Sequence, residues 1–313
     1  MKVVADLGSR KRIWELMTWI RDHLDEPMTV TSLAERAGMS VRHFYRLFEQ
    51  VSGEPPSEHV QRLRLARGAA WLAYTDAPVI EAALIAGYES REAFTRLFSK
   101  HFNCSPKAFR SRLHQQIRAL AQKPVPQGLR IVGMESFPPL TLAAWPHMGP
   151  YMASLKAWLA LGAWATAHEH LGPHARPASV IYDDGGLISP LARERYDAAL
   201  AFDSALDIPE GNGEYICYQL PGGPFIIADY TGSLAGLDAA WDYFGLVWFI
   251  GSGFQMRDSR MLVLFDPADI PTNPLHIARL LARKRITCRL CIPTDSVAGD
   301  GLPILNGHGW QKM

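Results

Sequence analysis

Leu33-Ala34-Glu35-Arg36-Ala37-Gly38-Met39-Ser40 and Ala82-Ala83-Leu84-Ile85-Ala86-Gly87-Tyr88-Glu89-Ser90 repeat one pattern. In each, a short apolar helix runs into a glycine, a brief turn follows, and a serine opens the next helix. Glycine takes a positive φ at little steric cost, and a serine side chain satisfies N–H groups at a helix start. Helix, short turn with glycine, helix is the helix-turn-helix unit. Its glycines, 38 and 87, stand 49 residues apart.

Around these two units, residues 1–121 read as an all-α domain of seven helices. Ile13, Leu16, Met17, Ile20 and Leu24 form one stripe. Thr29 is placed to cap the helix that ends at Gly38. Ser40 caps the next, whose Phe44, Leu47, Phe48 and Val51 fall at core spacing. Pro55-Pro56 starts a helix through Tyr74. Pro78 opens another, Ser90 caps a helix with Phe94, Leu97, Phe98 and Phe102, and Ser105-Pro106 opens the last. The helix from Pro56 to Tyr74 is roughly 28 Å long at about 1.5 Å per residue. Successive major-groove faces lie about 34 Å apart. One rigid helix can thus hold two reading heads about one turn apart.

Charge follows the same division. Residues 1–123 carry 19 Lys/Arg and 13 Asp/Glu, net +6; residues 124–313 carry 13 and 18, net −5. A basic segment facing a polyanion and an acidic one facing something else fits these signs. Gln122-Lys123-Pro124-Val125-Pro126-Gln127-Gly128 breaks the helical pattern, so 122–128 is the expected linker. The glycine-rich stretch 294–313 reads as a loosely packed tail. No apolar stretch reaches the roughly 18 residues of a membrane span, and Met1 to Asp6 lacks a signal-peptide core. The expected compartment is the cytoplasm. Four scattered cysteines make no disulfide framework.

The stretch Gly87-Tyr88-x-Ser90-x-x-x-Phe94-x-Arg96-x-Phe98-x-x-x-Phe102-x-x-Ser105-Pro106 resembles the second-half signature of the AraC/XylS family of bacterial transcription regulators. The resemblance spans about residues 11–113. It implies that the helices from Val41 and Arg91 enter successive major grooves of double-stranded DNA. With the core stripe removed, the readers are Val41, Arg42, Tyr45, Arg46 and Gln50 on the first helix. On the second they are Arg91, Glu92, Thr95, Arg96 and Lys100. An arginine paired with guanine contributes about 1–3 kcal/mol of discrimination.

Residues 129–293 read as an α+β domain made of two copies of strand-strand-helix-strand-strand. The first copy spans strands at Leu129–Ser136 and Leu140–Trp145, a helix from Met152 to His168, and strands at Ala178–Asp183 and Arg195–Asp203. The second spans strands at Glu214–Leu220 and Phe225–Thr231, a helix from Leu234 to Ile250, and strands at Met261–Phe265 and Arg285–Pro293. In the strand from Arg195, the pattern puts Tyr196, Ala198, Leu200 and Phe202 on one face. Arg195, Asp197 and Asp203 fall on the other. Helix packed on sheet, twice, leaves a cleft where ligands commonly sit.

Gly149-Pro150-Tyr151, Tyr182-Asp183-Asp184, Arg195-Tyr196-Asp197-Ala198, Leu220-Pro221-Gly222-Gly223 and Leu264-Phe265-Asp266-Pro267 resemble, in order, the GyrI-like effector-binding fold. An AraC-type module followed by this domain is the layout of Rob-type regulators. The resemblance implies an aromatic cleft for a small amphipathic, often cationic, molecule. Tyr151, Trp158, Tyr182, Tyr196, Tyr230, Trp241, Trp248 and Met261 are the cleft residues expected. Met261 stands where that family carries a glutamate, so the cation-pairing role is expected to be lost or moved, with Asp258 the nearest upstream carboxylate. A basic insertion, 273–285, reads as a helix, a lid or an RNA polymerase contact.

Other chemistry finds little support. Cys288-x-x-Cys291 lacks a second ligand pair for zinc, and residues three apart in a strand face opposite ways. His168, His170 and His174 lack carboxylate spacing. Phosphate-binding glycine loops and nucleophile elbows are absent. No metal, cofactor or catalytic residue is expected. Some GyrI-like proteins are hydrolases that lean on a pocket carboxylate. A small-molecule hydrolase or drug-sequestering protein with an attached DNA module is therefore the alternative to a one-component regulator.

Overall fold

The computed structural model describes residues 2–168, 175–182, 188, 190–202, 215–257, 259–266 and 285–295. Seven helices form the first part: α1 (Lys2–Asp22), α2 (Val30–Arg36), α3 (Val41–Ser52), α4 (Pro56–Tyr74), α5 (Val79–Ile85), α6 (Arg91–Phe102) and α7 (Pro106–Ala121). The caps are those the sequence specified. Thr29, Ser40, Ser90 and Ser105 each accept a backbone N–H through the side chain. Gly38 and Gly87 take φ of 64° and 75° at the two turns. Gly68 has another reason: a Cβ there would meet the Phe94 ring at 2.7 Å, so glycine lets α4 and α6 close together. One boundary differs from expectation. The stripe from Ile13 is only the latter part of α1, which starts at Lys2.

Eight strands follow among the described residues: β1 (Leu129–Phe137), β2 (Leu140–Met148), β3 (Arg176–Ile181), β4 (Arg195–Phe202), β5 (Ile216–Leu220), β6 (Gly223–Gly232), β7 (Met261–Phe265) and β8 (Ile286–Pro293). They make one antiparallel sheet in the order β1-β6-β8-β7-β3-β4-β2-β5. Exchanging β1–β4 with β5–β8 turns that order into its own reverse. The seam of this two-fold relation falls between β3 and β7, which pair from Ala178 opposite Leu264 to Ile181 opposite Met261.

Two helices cover one sheet face. Against α8 (Leu155–Ala167) pack Ala143, Trp145, Tyr196, Ala198, Leu200 and Phe202. Against α9 (Leu234–Asp242) and the π-helical run Tyr243–Phe249 that continues it pack Ile226, Ala228, Tyr230, Met261, Val263, Leu290 and Ile292. A short 3₁₀ turn, Tyr151–Ala153, occupies the expected start of α8.

The opposite face is not open. Leu140, Leu142, Ala144, Ala178, Val180, Ala199, Ala201, Leu262 and Leu264 share one core with Ile13, Met17, Ile20, Leu33, Phe44 and Phe48 of α1–α3. Every residue of β4 is consequently buried, Arg195 and Asp197 included. A second core gathers Leu65, Ala69, Leu72, Phe94, Phe98, Phe109 and Leu113 of α4–α7, and Ile188 from beyond β3 joins it. Between the parts, the Leu129 amide donates to the Pro126 carbonyl and the Thr231 amide to that of Gly128. Thr294 is fully buried and bridges Met256, so the chain is anchored one residue into the expected tail. Residues 296–313 lie outside the described residues, as does the 273–284 part of the insertion. Among the described residues, no helix is long and apolar enough to cross a membrane.

Candidate nucleic-acid interface and effector cleft

Each second helix divides cleanly. On α3, Phe44, Leu47, Phe48 and Val51 are buried, while Val41, Arg42, Tyr45, Arg46 and Gln50 are exposed. Val41 and Tyr45 are 45% and 40% exposed, so the outward face carries apolar as well as charged surface. On α6, Phe94 and Phe98 are buried; Arg91, Glu92, Arg96 and Lys100 are exposed and Thr95 is half-buried. The ten residues thus lie off the packed stripes, on capped helices whose rings stack inside. Phe98 meets Phe94, Phe102 and Phe109 at 5.2, 4.4 and 5.4 Å between centroids.

Other arginines of this module have structural work. Glu54, just after α3, accepts from His59 Nδ1 at 2.7 Å and Arg62 Nε at 2.9 Å, fastening α3 to α4. Burial alone would raise the Glu54 pKa, but His59 and Arg62 outweigh it and hold the carboxyl below its ordinary value. Arg64 donates to the Leu24 and Glu26 carbonyls at 2.8 and 2.7 Å. Arg110 donates to the Leu72 carbonyl at 3.1 Å.

A cavity of about 230 Å³ opens at the sheet seam, on the face that carries α8 and α9. Its floor is Ser179, Ile181, Tyr196 and Val263; its walls are Gly149, Tyr151, Glu194 and Arg195 on one side and Leu237, Asp238, Trp241 and Asp242 on the other. Tyr151 sets its ring edge-on to Tyr196 at 5.1 Å. The Tyr196 hydroxyl accepts from Trp158 Nε1 at 2.9 Å and shares a hydrogen bond with Ser179 Oγ. Burial raises the pKa of both tyrosines, so they stay neutral phenols at ordinary pH. Asp238 and Asp242, four apart on α9, keep solvent contact at the mouth. Partial burial still raises both carboxyls, and Asp238 adds to the shift of Asp242.

Of the eight residues expected in the cleft, Tyr151, Tyr196 and Trp241 line it. Trp158 stands behind, holding the Tyr196 hydroxyl and meeting Phe265 edge-on at 5.6 Å. Tyr230 instead donates to the Ser233 carbonyl at 2.8 Å and braces the start of α9. Trp248 packs among Phe244 and Phe254 in the core. Met261 is buried in the same core, and Val263, two residues on, reaches the cavity. Tyr182 is on the other face altogether, where its hydroxyl donates to Asp197 at 2.9 Å. The unforeseen members are the carboxylates Glu194, Asp238 and Asp242; the spacing of Leu237, Asp238, Trp241 and Asp242 along one helix face was the available signal.

Asp183, Asp184, His170, His174, Asp203, Asp258, Pro267 and the 273–284 stretch lie outside the described residues. Among the described residues, no group of three His, Cys, Asp or Glu side chains could hold a metal ion. Cys288 and Cys291 belong to the cores on opposite sheet faces, and burial pushes the Cys291 thiol up.

Two capped helix-turn-helix units joined by α4, with both second helices exposing arginine-bearing faces, define a double helix-turn-helix DNA-binding module. The helix-turn-helix domain family matches residues 33–112. The regulatory protein SoxS of Escherichia coli is 30% identical over 107 residues, covering 34% of this chain and 100% of SoxS. The transcriptional regulator Rob of Salmonella typhimurium is 34% identical over 98 residues, covering 31% of this chain and 34% of Rob. The chain therefore spans about a third of Rob's length. A solved AraC-type regulator from Chromobacterium violaceum is 30% identical, covering 34% of this chain and 96% of that one, with a TM-score of 0.32. The chain belongs to the AraC family of helix-turn-helix transcription regulators.

Proposed function

We propose that this protein is a one-component regulator whose residues 1–121 read promoter DNA and whose residues 129–293 bind a small amphipathic effector. The reading faces of α3 and α6 carry the first half of the proposal. Arg42, Arg46, Arg91, Arg96 and Lys100 supply charge for phosphates and guanines. Val41 and Tyr45 supply apolar contact for a thymine methyl, Gln50 suits adenine, and Glu92 accepts from cytosine or orients Arg96.

The second half rests on the seam cavity. The reversed strand order supports a duplicated, GyrI-like domain, with the two copies meeting where β3 and β7 pair. The rings of Tyr151, Tyr196 and Trp241 along the cavity fit a flat or bulky apolar ligand. Asp238 and Asp242 give the mouth a negative charge, and Glu194 adds a carboxylate to the wall. The role expected to leave Met261 falls to these carboxylates, and the effector is cationic.

The test uses the full chain. It should select one duplex sequence from a random pool, and tetraphenylphosphonium, a permanent lipophilic cation, should quench its tryptophan fluorescence more than the isosteric neutral tetraphenylmethane or the tetraphenylborate anion. No selected sequence would contradict the DNA half; preference for the anion would contradict the effector half.

A further inference from the structure

The segment 194–197 serves both faces of the sheet. Glu194, Arg195 and Tyr196 line the cavity. Yet the Arg195 guanidinium meets α1 of the DNA module on the far face, where Nη2 donates to Thr18 Oγ1 at 2.8 Å. The same guanidinium holds Asp197 through Nε and Nη2, both at 3.1 Å, and lies over the Tyr182 ring at 4.2 Å.

Asp197 also accepts from the hydroxyls of Tyr182 and Tyr218 at 2.9 and 3.0 Å. Arg260, just before β7, covers both rings at 5.0 and 5.3 Å and donates to the Asp22 carboxylate at 2.6 and 2.7 Å. Two arginines and two aspartates balance. Thr18 and Asp22 are one helical turn apart on α1, so the sheet grips one face of that helix at two points. α1 in turn shares a core with Phe44, Leu47 and Phe48 of the reading helix α3.

A purely apolar contact would hold α1 while allowing it to slide. Arg195, Asp197 and Arg260 are buried, although Asp22 is exposed; buried, hydrogen-bonded charges tolerate few registers, because a half-made arrangement leaves a desolvated charge unpaired. That is the behaviour of a two-position contact and not of a continuously deformable one.

We propose that this polar cluster couples the cavity to DNA reading. A ligand against Glu194 and Tyr196 displaces the start of β4, the Arg195–Thr18 and Arg260–Asp22 contacts reset together, and α1 carries α3 to a different presentation. This inference rests on the effector reading above. Coupling of this kind is reciprocal, so DNA must alter ligand affinity by the factor through which ligand alters DNA affinity.

The experiment measures the Kd of tetraphenylphosphonium for the full chain, free and saturated with its selected duplex. In the wild type the two values should differ by about fivefold or more, while in Thr18→Val/Asp22→Asn they should agree within about twofold. Both substituted residues lie outside the reading faces and the cavity. Thr18→Val alone, which keeps the side-chain volume, serves if the double variant melts early. Retention of the full ratio in the variants overturns the proposal. A ratio of one in a wild type that binds the probe also overturns it and leaves the effector reading standing. If the probe does not bind, the cationic-ligand reading fails by itself. Hydrogen exchange then decides the coupling: DNA should change exchange across 195–198 in the wild type and not in the variant, and an unchanged wild type overturns it.

Discussion

The two faces of the sheet are built from alternate residues of the same strands, and they do different things. On β4, Tyr196, Ala198, Leu200 and Phe202 meet α8, and Tyr196 floors the cavity. One residue out of phase, Arg195, Asp197, Ala199 and Ala201 meet the DNA module. The first face is aromatic and leaves room. The second is packed with aliphatic residues against α1–α3 and closed by a balanced cluster of charges. A two-residue period can thus keep a sensing surface and a docking surface within one strand's thickness.

The docking face is most sensitive at Asp197. Asp197→Ala leaves Arg195 charged and buried, and should cost about 3–5 kcal/mol in urea unfolding of the full chain. On the other face, Leu200→Ala should cost about 2–5 kcal/mol by cavity formation. The two should separate by docking. The first variant should raise amide exchange across α1 well below its unfolding midpoint, and the second should leave α1 protected.

A smaller effect belongs to neither face. Arg96→Ala should weaken binding to the selected duplex by about 1–3 kcal/mol while leaving the melting temperature unchanged. Unaltered affinity would remove Arg96 from the reading face. Smaller still is Asp242→Asn, where a solvent-touched ion pair with tetraphenylphosphonium is worth about 0.2–1 kcal/mol, read as a loss of up to a few fold in affinity.

Two pH dependences have opposite signs. The raised Asp238 and Asp242 carboxyls stabilise the fold below 3.8, their unfolded value, and that contribution is lost as pH rises through their folded values. Cation affinity should therefore climb over the same interval, above 3.8, as they ionise. Glu54 behaves the other way. Its folded pKa is depressed, so its contribution is present above 4.5 and lost as pH falls through the lower folded value. A melting profile taken below pH 4.5 should flatten in Glu54→Gln.

Much of the helical half was legible because its signals are local. Serine caps, turn glycines and i, i+3, i+4 stripes are decided within one or two turns of chain, and all four caps and both turns sit where the sequence put them. The strands were legible in order and type for the same reason. What the pattern could not show was the partner of each face. Asp197 alternates with apolar residues as a solvent-facing residue would, yet α1, nearly 180 residues earlier, covers it. Tyr182 reads as a ligand tyrosine next to two aspartates; only the pairing of β3 with β4 shows that it faces the other way. Tyr230 and Trp248 are expected in the cavity as aromatic rings, and an aromatic ring serves a core equally well. Asp238 and Asp242 were visible as a pair, but nothing local says that their helix borders the seam.

The most direct test of the whole account is a methylation-interference footprint of the full chain on its selected duplex. Reading by α3 and α6 from one scaffold helix predicts two patches of guanine N7 interference on one face of the DNA, about 10 base pairs apart. A single patch, or a footprint without guanine contacts in the major groove, would contradict it.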